Sequence, residues 1–254
     1  MANNWPFNNE YDGVFGLAYN PSSSIMEHLK SRYIPQLISL SSYSNKLVLG
    51  SYNFKELDAS TMAWGKSTTN NWIISLERVA FRTSNDYSFN GQYLDFSSSV
   101  LSLPKEVYQS YVKEYLYKIG CQNTADPNVH CYRIKSSDYS ERPNLNLVLE
   151  GVPITFGFDM FISHLSSSSE TRNNRTKTYY YFDVSVNVTN DNVIRIPYWE
   201  IYNNYAVVYD YERKMVGFGK YKFNWMILLY ILGGIAVIVG VSFLIFYKNK
   251  PHAN

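Results

Sequence analysis

The chain has 254 residues, with 23 basic against 21 acidic side chains and a formal charge of +2. That balance provides no clustered basic groove to release counterions from phosphates, so nucleic acid is excluded as the expected partner. Aromatic residues make up 17% of the chain, led by 24 Tyr, and charged residues also only 17%, which is a core-forming composition; two Cys are too few to staple a miniprotein.

At the start, MANNWPFNNEYDG has neither a basic n-region nor an apolar h-region, so no signal peptide is written there. Ser24 and Glu27 then form a capping box ahead of IMEHLKSRY and predict a short helix. LVLG at Leu47 to Gly50 and WIISLERVAF at Trp72 to Phe81 read as strands. Pro104 opens a second helix, whose apolar set Tyr108, Tyr111, Val112, Tyr115, Leu116 and Ile119 keeps helical spacing. Cys121 and Cys131 enclose the polar QNTADPNVH, with Asp126-Pro127 turn chemistry, and an oxidising compartment would close a short disulfide loop there. His130 lies beside Cys131, but a metal site needs more convergent ligands than these, and no metal or other cofactor is expected.

NLNLVL, Glu150-Gly151 and VPITF read as a hairpin; Ser166 to Thr178 reads as a polar loop or linker; YYYFDVSVNV at Tyr179 to Val188 reads as strand, with its tyrosines assigned to packing. Two sequons, Asn174-Arg175-Thr176 and Asn187-Val188-Thr189, would accept glycans in a lumenal domain. YAVVYDY turns through Glu212-Arg213-Lys214 into MVGFG as a closing hairpin. Trp225 to Tyr247 then runs without a charge for about 35 Å of helix, enough to cross a hydrocarbon layer of about 30 Å, with Trp225, Tyr230 and Tyr247 near its ends and lysines on both flanks. Membrane lipid is therefore an expected partner through residues 225–247. The preceding domain is cytosolic and tail-anchored if Met1 is the true start, and lumenal or extracellular if the chain is a fragment of a longer precursor.

The order of these elements resembles the C-terminal part of a pepsin-like aspartic peptidase, from about Asp12 to Gly219. Asp12-Gly13-Val14-Phe15-Gly16-Leu17-Ala18 is similar to the D-G-I-x-G-L segment late in the family's N-terminal lobe. Lys46 to Tyr52 resembles the E-L-x-x-G-G-x strand and turn, and Trp72-Ile73-Ile74 the W-x-I strand that opens the C-terminal lobe. Tyr93-Leu94-Asp95-Phe96-Ser97-Ser98, followed by an apolar run and Pro104, resembles the second active-site loop, D-T-G-[ST]-S. Pro143 to Leu147 with Gly151 resembles the P-x-I-x-F hairpin, and Tyr205 to Asp210 with Val216-Gly217-Phe218 the closing Y-x-V-F-D and V-G-F-A hairpin.

The resemblance implies a mostly β fold with few short helices: a C-terminal lobe of double-psi-type β-barrel architecture at 66–219, followed by one transmembrane helix. Residues 1–65 would be the end of the N-terminal lobe and the interlobe connection, 220–247 the juxtamembrane segment and membrane helix, and 248–254 a short tail. It also implies an aspartic-type endopeptidase ancestry, in which two carboxylates share a proton and activate a water. Asp95 stands at the second catalytic position, with Ser98 at the hydroxyl position that steadies its outer oxygen. Phe96 replaces the family's Thr, Ser97 replaces its Gly, and no second D-[ST]-G occurs.

Asp95 then has two readings. It is either one half of a catalytic pair, completed by a missing lobe or by a second copy of the chain, or a strand-end Asp that hydrogen-bonds its own turn. The first belongs to a membrane-anchored aspartic peptidase relative that is catalytically incomplete as this chain. The second belongs to a non-enzymatic β-domain that keeps the cleft for a peptide or protein ligand.

Overall fold

The computed structural model describes residues 24–42, 46–52, 57–81, 87–122, 128–172 and 175–222, together with Ser242. Strands dominate, because β-branched and aromatic residues recur at alternating positions between turn signals. Helix α1 (Ser24–Ser31) precedes β1 (Leu37–Ser41) and β2 (Lys46–Leu49), then a 3₁₀ turn at Ala59–Thr61 leads to β3 (Ala63–Lys66). After β4 (Ile74–Ser75), β5 (Arg78–Phe81), β6 (Tyr87–Phe89), β7 (Tyr93–Asp95) and β8 (Ser102–Pro104) comes the main helical segment. It consists of α2 (Lys105–Val107), a wider π-helical stretch at Tyr108–Lys113 and α3 (Glu114–Lys118).

The chain continues through β9 (Asn128–Lys135), α4 (Ser136–Ser140), β10 (Leu145–Leu149) and β11 (Val152–Phe156). A 3₁₀ turn at Phe158–Phe161 leads into β12 (Ile162–Arg172) and β13 (Arg175–Ser185). The last elements are β14 (Asn187–Thr189), β15 (Val193–Arg195), α5 (Tyr198–Asn204), β16 (Tyr205–Asp210) and β17 (Met215–Lys220).

These strands form four sheets, ordered β2-β1-β16-β17-β3, β11-β10-β5-β6, β12-β13-β9 and β14-β8-β15-β7-β4. In the first, every residue of β16 is buried, as its unbroken apolar run requires of a central strand covered on both faces. Asp210 ends that strand nearly buried and accepts from the Arg213 amide at 2.9 Å, so its carboxylate holds the hairpin turn. At Gly217 the neighbouring strand β3 comes too close for a side chain: an added Cβ would lie 2.9 Å from Trp64 Cζ3.

The π-helical stretch and α3 together turn Tyr108, Tyr111, Val112, Tyr115 and Leu116 inward, as their spacing predicts. Tyr111 lies against Phe81, Phe158 and Phe161, with ring centroids 4.9, 5.9 and 5.4 Å away, and its hydroxyl donates to the Pro143 carbonyl at 2.9 Å. Burial pushes the Tyr111 phenol well above its ordinary pKa, so it stays a neutral donor. A disulfide joins Cys121, just after α3, to Cys131 on β9.

Three expectations are corrected. Ser166 to Thr178 is not a linker: it lies mostly in the β12–β13 hairpin, with Ser166 paired to Tyr181 and Ser169 to Thr178. Its polarity reflects exposure on both faces rather than an absence of pairing. Trp72 to Phe81 is not one strand, because the chain changes sheets at Leu76 and Glu77, whose amides donate to Gln92 and Val148 respectively. Nor is the double-psi-type barrel closed, since each sheet is an open row of strands among the described residues. The expected membrane span at 225–247 lies, apart from Ser242, outside the described residues, among which no helix is long and apolar enough to cross a membrane.

Candidate functional site

Strand β7 alternates its side chains, so Leu94 is fully buried while Asp95 reaches the edge half-buried. Topology sets the path of the chain beyond it. Strand β15 lies between β7 and β8, parallel to the first and antiparallel to the second. The Asp95 loop must therefore cross over β15 to reach β8. Backbone bonds hold it there, with the Ile196 amide donating to the Asp95 carbonyl at 3.1 Å and the Tyr198 amide to the Ser98 carbonyl at 3.2 Å.

The carboxylate is occupied locally. Asp95 Oδ1 accepts from the Ser97 amide at 2.9 Å and from Ser97 Oγ at 2.7 Å, the pattern of an Asp closing its own turn. The hydroxyl on Asp95 thus belongs to Ser97 and not to Ser98, the residue expected to steady it. Ser98 Oγ instead accepts from the Val100 amide at 3.0 Å, one turn further on. The Cβ at Ser97, where the resemblance has Gly, brings a hydroxyl within reach of the acid.

Asp95 Oδ2 faces a cation. The parallel register sets Arg195 beside Asp95, and Arg195 Nε stands 4.0 Å from Oδ2. The rest of the guanidinium is forked onto Asp191, at 2.7 Å for Nη2 to Oδ2 and 3.2 Å for Nη1 to Oδ1. Thr189 Oγ1 donates to Asp191 Oδ1 at 2.8 Å as well. The Arg195 hydrogen bonds, then those from Thr189 and the Val193 amide, lower the Asp191 pKa to about 2 against the opposing effect of burial. Asp191 likewise raises the pKa of Arg195, so both stay charged over the usual pH range. Two carboxylates thus share one guanidinium, where the resemblance implies two carboxylates sharing one proton.

Beside the turn opens a pocket of about 430 Å³ lined by Trp72, Phe96, Ser97, Tyr198, Tyr202 and Tyr209, with Asn71 at its edge. Trp72 adopts φ 58°, a region bulky side chains rarely enter, and Thr69 Oγ1 holds its turn by accepting from the Asn71 amide at 3.2 Å and the Ile73 amide at 3.4 Å. That conformation lays the indole edge-on to Tyr209, with centroids 5.2 Å apart. The Tyr202 and Tyr209 hydroxyls lie 2.8 Å apart, and burial raises the pKa of both. The pocket is apolar and uncharged, with one acid outside its rim.

The remaining sequence-marked residues lie elsewhere. Asn187 is exposed on β14, and Asn174 lies outside the described residues. His130 Nδ1 is 2.7 Å from Asp183 Oδ1, and no group of three or more His, Cys, Asp or Glu suited to a metal occurs among the described residues. Sequence reasoning missed Arg195, Asp191 and the aromatic pocket. The i, i+4 spacing of Asp191 and Arg195 was a visible signal, whereas the proximity of Trp72 to Tyr209 depends on the completed sheet. Comparison with protein-family models finds no match, and comparison with curated proteins finds none.

Proposed function

We propose that the chain is a pepsin-like aspartic peptidase relative, anchored to a membrane through 225–247, whose remaining cleft docks peptides without cleaving them. The motif series from Asp12 to Gly219 supports the family, and so does the crossing of the Asp95 loop over β15 in an open, unclosed version of the expected barrel. The observation that carries the non-catalytic reading is the engagement of Asp95, with Oδ1 held by Ser97 and Oδ2 facing Arg195. A general base needs a lone pair aimed at water and a partner acid to polarise the carbonyl. Arg195 stands in the way of both. A second acid supplied by another lobe or copy would first have to displace this cation.

The aromatic pocket supplies what docking needs. An apolar peptide side chain that loses about 100 Å² of surface there gains about 2.5 kcal/mol, enough to select a residue type within a longer ligand.

The test uses the full chain in detergent and short peptides carrying a central Phe or Leu, monitored by tryptophan fluorescence. Binding that Tyr198→Ala weakens severalfold, while the peptide stays intact, supports the proposal; Tyr198 is half exposed at the pocket mouth, so its loss leaves the core alone. Peptides that bind equally well to Tyr198→Ala, or that are cut, overturn it.

A further inference from the structure

The β12–β13 hairpin has no role in the Asp95 site. It joins two strands of 11 residues each, and β12 is exposed from Ser163 to Arg172. It is also the outer strand of its sheet, so one row of its backbone N–H and C=O groups faces away from β13. Native sheets guard such edges with lysine, proline or bulges. Here the register shifts only at the base, between Ile162 and His164, and Ser166 to Ser169 carry none of these guards.

The far end of the same hairpin is cationic. Arg133, Arg172, Arg175 and Lys177 surround a depression of about 590 Å³ with Glu170 and Tyr179. Glu170 is taken by Arg133 Nη2 at 2.9 Å, and that guanidinium lies 4.7 Å from the Tyr179 ring centre. Arg172, Arg175 and Lys177 make no ion pair among the described residues. Arg172 and Arg175 are direct cross-strand partners, an arrangement of like charges that opposes pairing unless an anion joins them.

We propose that β12 and this cationic end form a docking site for an extended acidic peptide, which adds as a further strand and places carboxylates on Arg172 and Arg175. A free phosphate or a lipid headgroup satisfies the cations alone. Only a polypeptide also uses the unpaired edge, and the guanidinium fork suits a carboxylate.

The experiment titrates the full chain in detergent with a peptide of about ten residues that alternates threonine and glutamate. Three comparisons run beside it: the peptide with lysine for glutamate, the glutamate peptide N-methylated at every second amide, and inorganic phosphate as competitor. Saturable binding of the glutamate peptide is expected. It weakens about tenfold in Arg172→Ala/Arg175→Ala and about tenfold on N-methylation, and the lysine peptide does not bind. Near-ultraviolet circular dichroism checks that the exposed double variant is folded. No binding, equal binding of the lysine peptide, or unchanged affinity in the double variant overturns the proposal. So does full affinity after N-methylation or displacement by millimolar phosphate, either of which would mean charge alone. A dimer of the chain that the peptide dissolves would also overturn it, by making a second copy the occupant.

Discussion

Replacing Arg195 by Met removes the cation that joins Asp95 to Asp191 while keeping most of the side-chain length. The Asp191 pKa lies at about 2 in the folded chain against an ordinary 3.8, a difference worth about 2.4 kcal/mol before solvent screening, with Arg195 its largest cause and Thr189 and the Val193 amide contributing the rest. The Asp191 side chain is 43% exposed, so solvent screening reduces the effect to about 1 kcal/mol. A depressed folded-state pKa stabilises above the unfolded value and loses that stability as pH falls through the folded one. Arg195→Met is therefore less stable than wild type by about 1 kcal/mol at pH 7, and the gap closes between about pH 4 and pH 2. Urea denaturation of the full chain in detergent at a series of pH values measures this. Asp191→Asn lowers stability similarly, and the double variant falls short of the sum by about the same 1 kcal/mol. A gap that does not change with pH, or strictly additive variants, would refute the picture of the site as a guanidinium shared by two carboxylates.

Other consequences concern the core and its staple. Tyr111→Phe leaves the Pro143 carbonyl without its buried donor and costs about 1–2 kcal/mol by denaturant titration, with no change in the slope of the transition. Phe158→Ala opens a cavity among Tyr111, Tyr115 and Phe161 and costs about 3–5 kcal/mol in the same assay. Cys121→Ser/Cys131→Ser releases a loop with a sequence separation of 10 and lowers stability by about 3 kcal/mol; alkylation of the unfolded wild type before and after reduction reports the bond directly. Gly217→Ala forces its new methyl group against Trp64 and costs about 1–3 kcal/mol.

The elements legible in the sequence are those whose partners are close along the chain. The hairpin β10–β11 shows alternation and a turn, β16–β17 shows an unbroken apolar run and a turn, and the helical segment after Pro104 shows its inward stripe. Ser166 to Ser169 concealed a strand because neither face is buried, so no alternation marks it. The corner at Leu76 and Glu77 was hidden by an apolar run that continues while its hydrogen-bond partners change sheets. At the site, Asp95 stood out by motif and by its place at the end of a strand. Its real neighbour did not, because Arg195 is 100 positions away in sequence and meets Asp95 only through the parallel register of β15 on β7. A motif scan also favours Ser98 over Ser97, since the two hydroxyls differ only in which way the turn points them.

The central claim is that Asp95, held by Ser97 and facing Arg195, does not cut peptide bonds. Incubating the purified full chain in detergent with a denatured protein at acidic pH, with and without pepstatin, and separating the products by mass tests it most directly. Intact substrate is predicted under both conditions, with wild type and Asp95→Asn indistinguishable. Fragments that pepstatin suppresses and Asp95→Asn abolishes would contradict it.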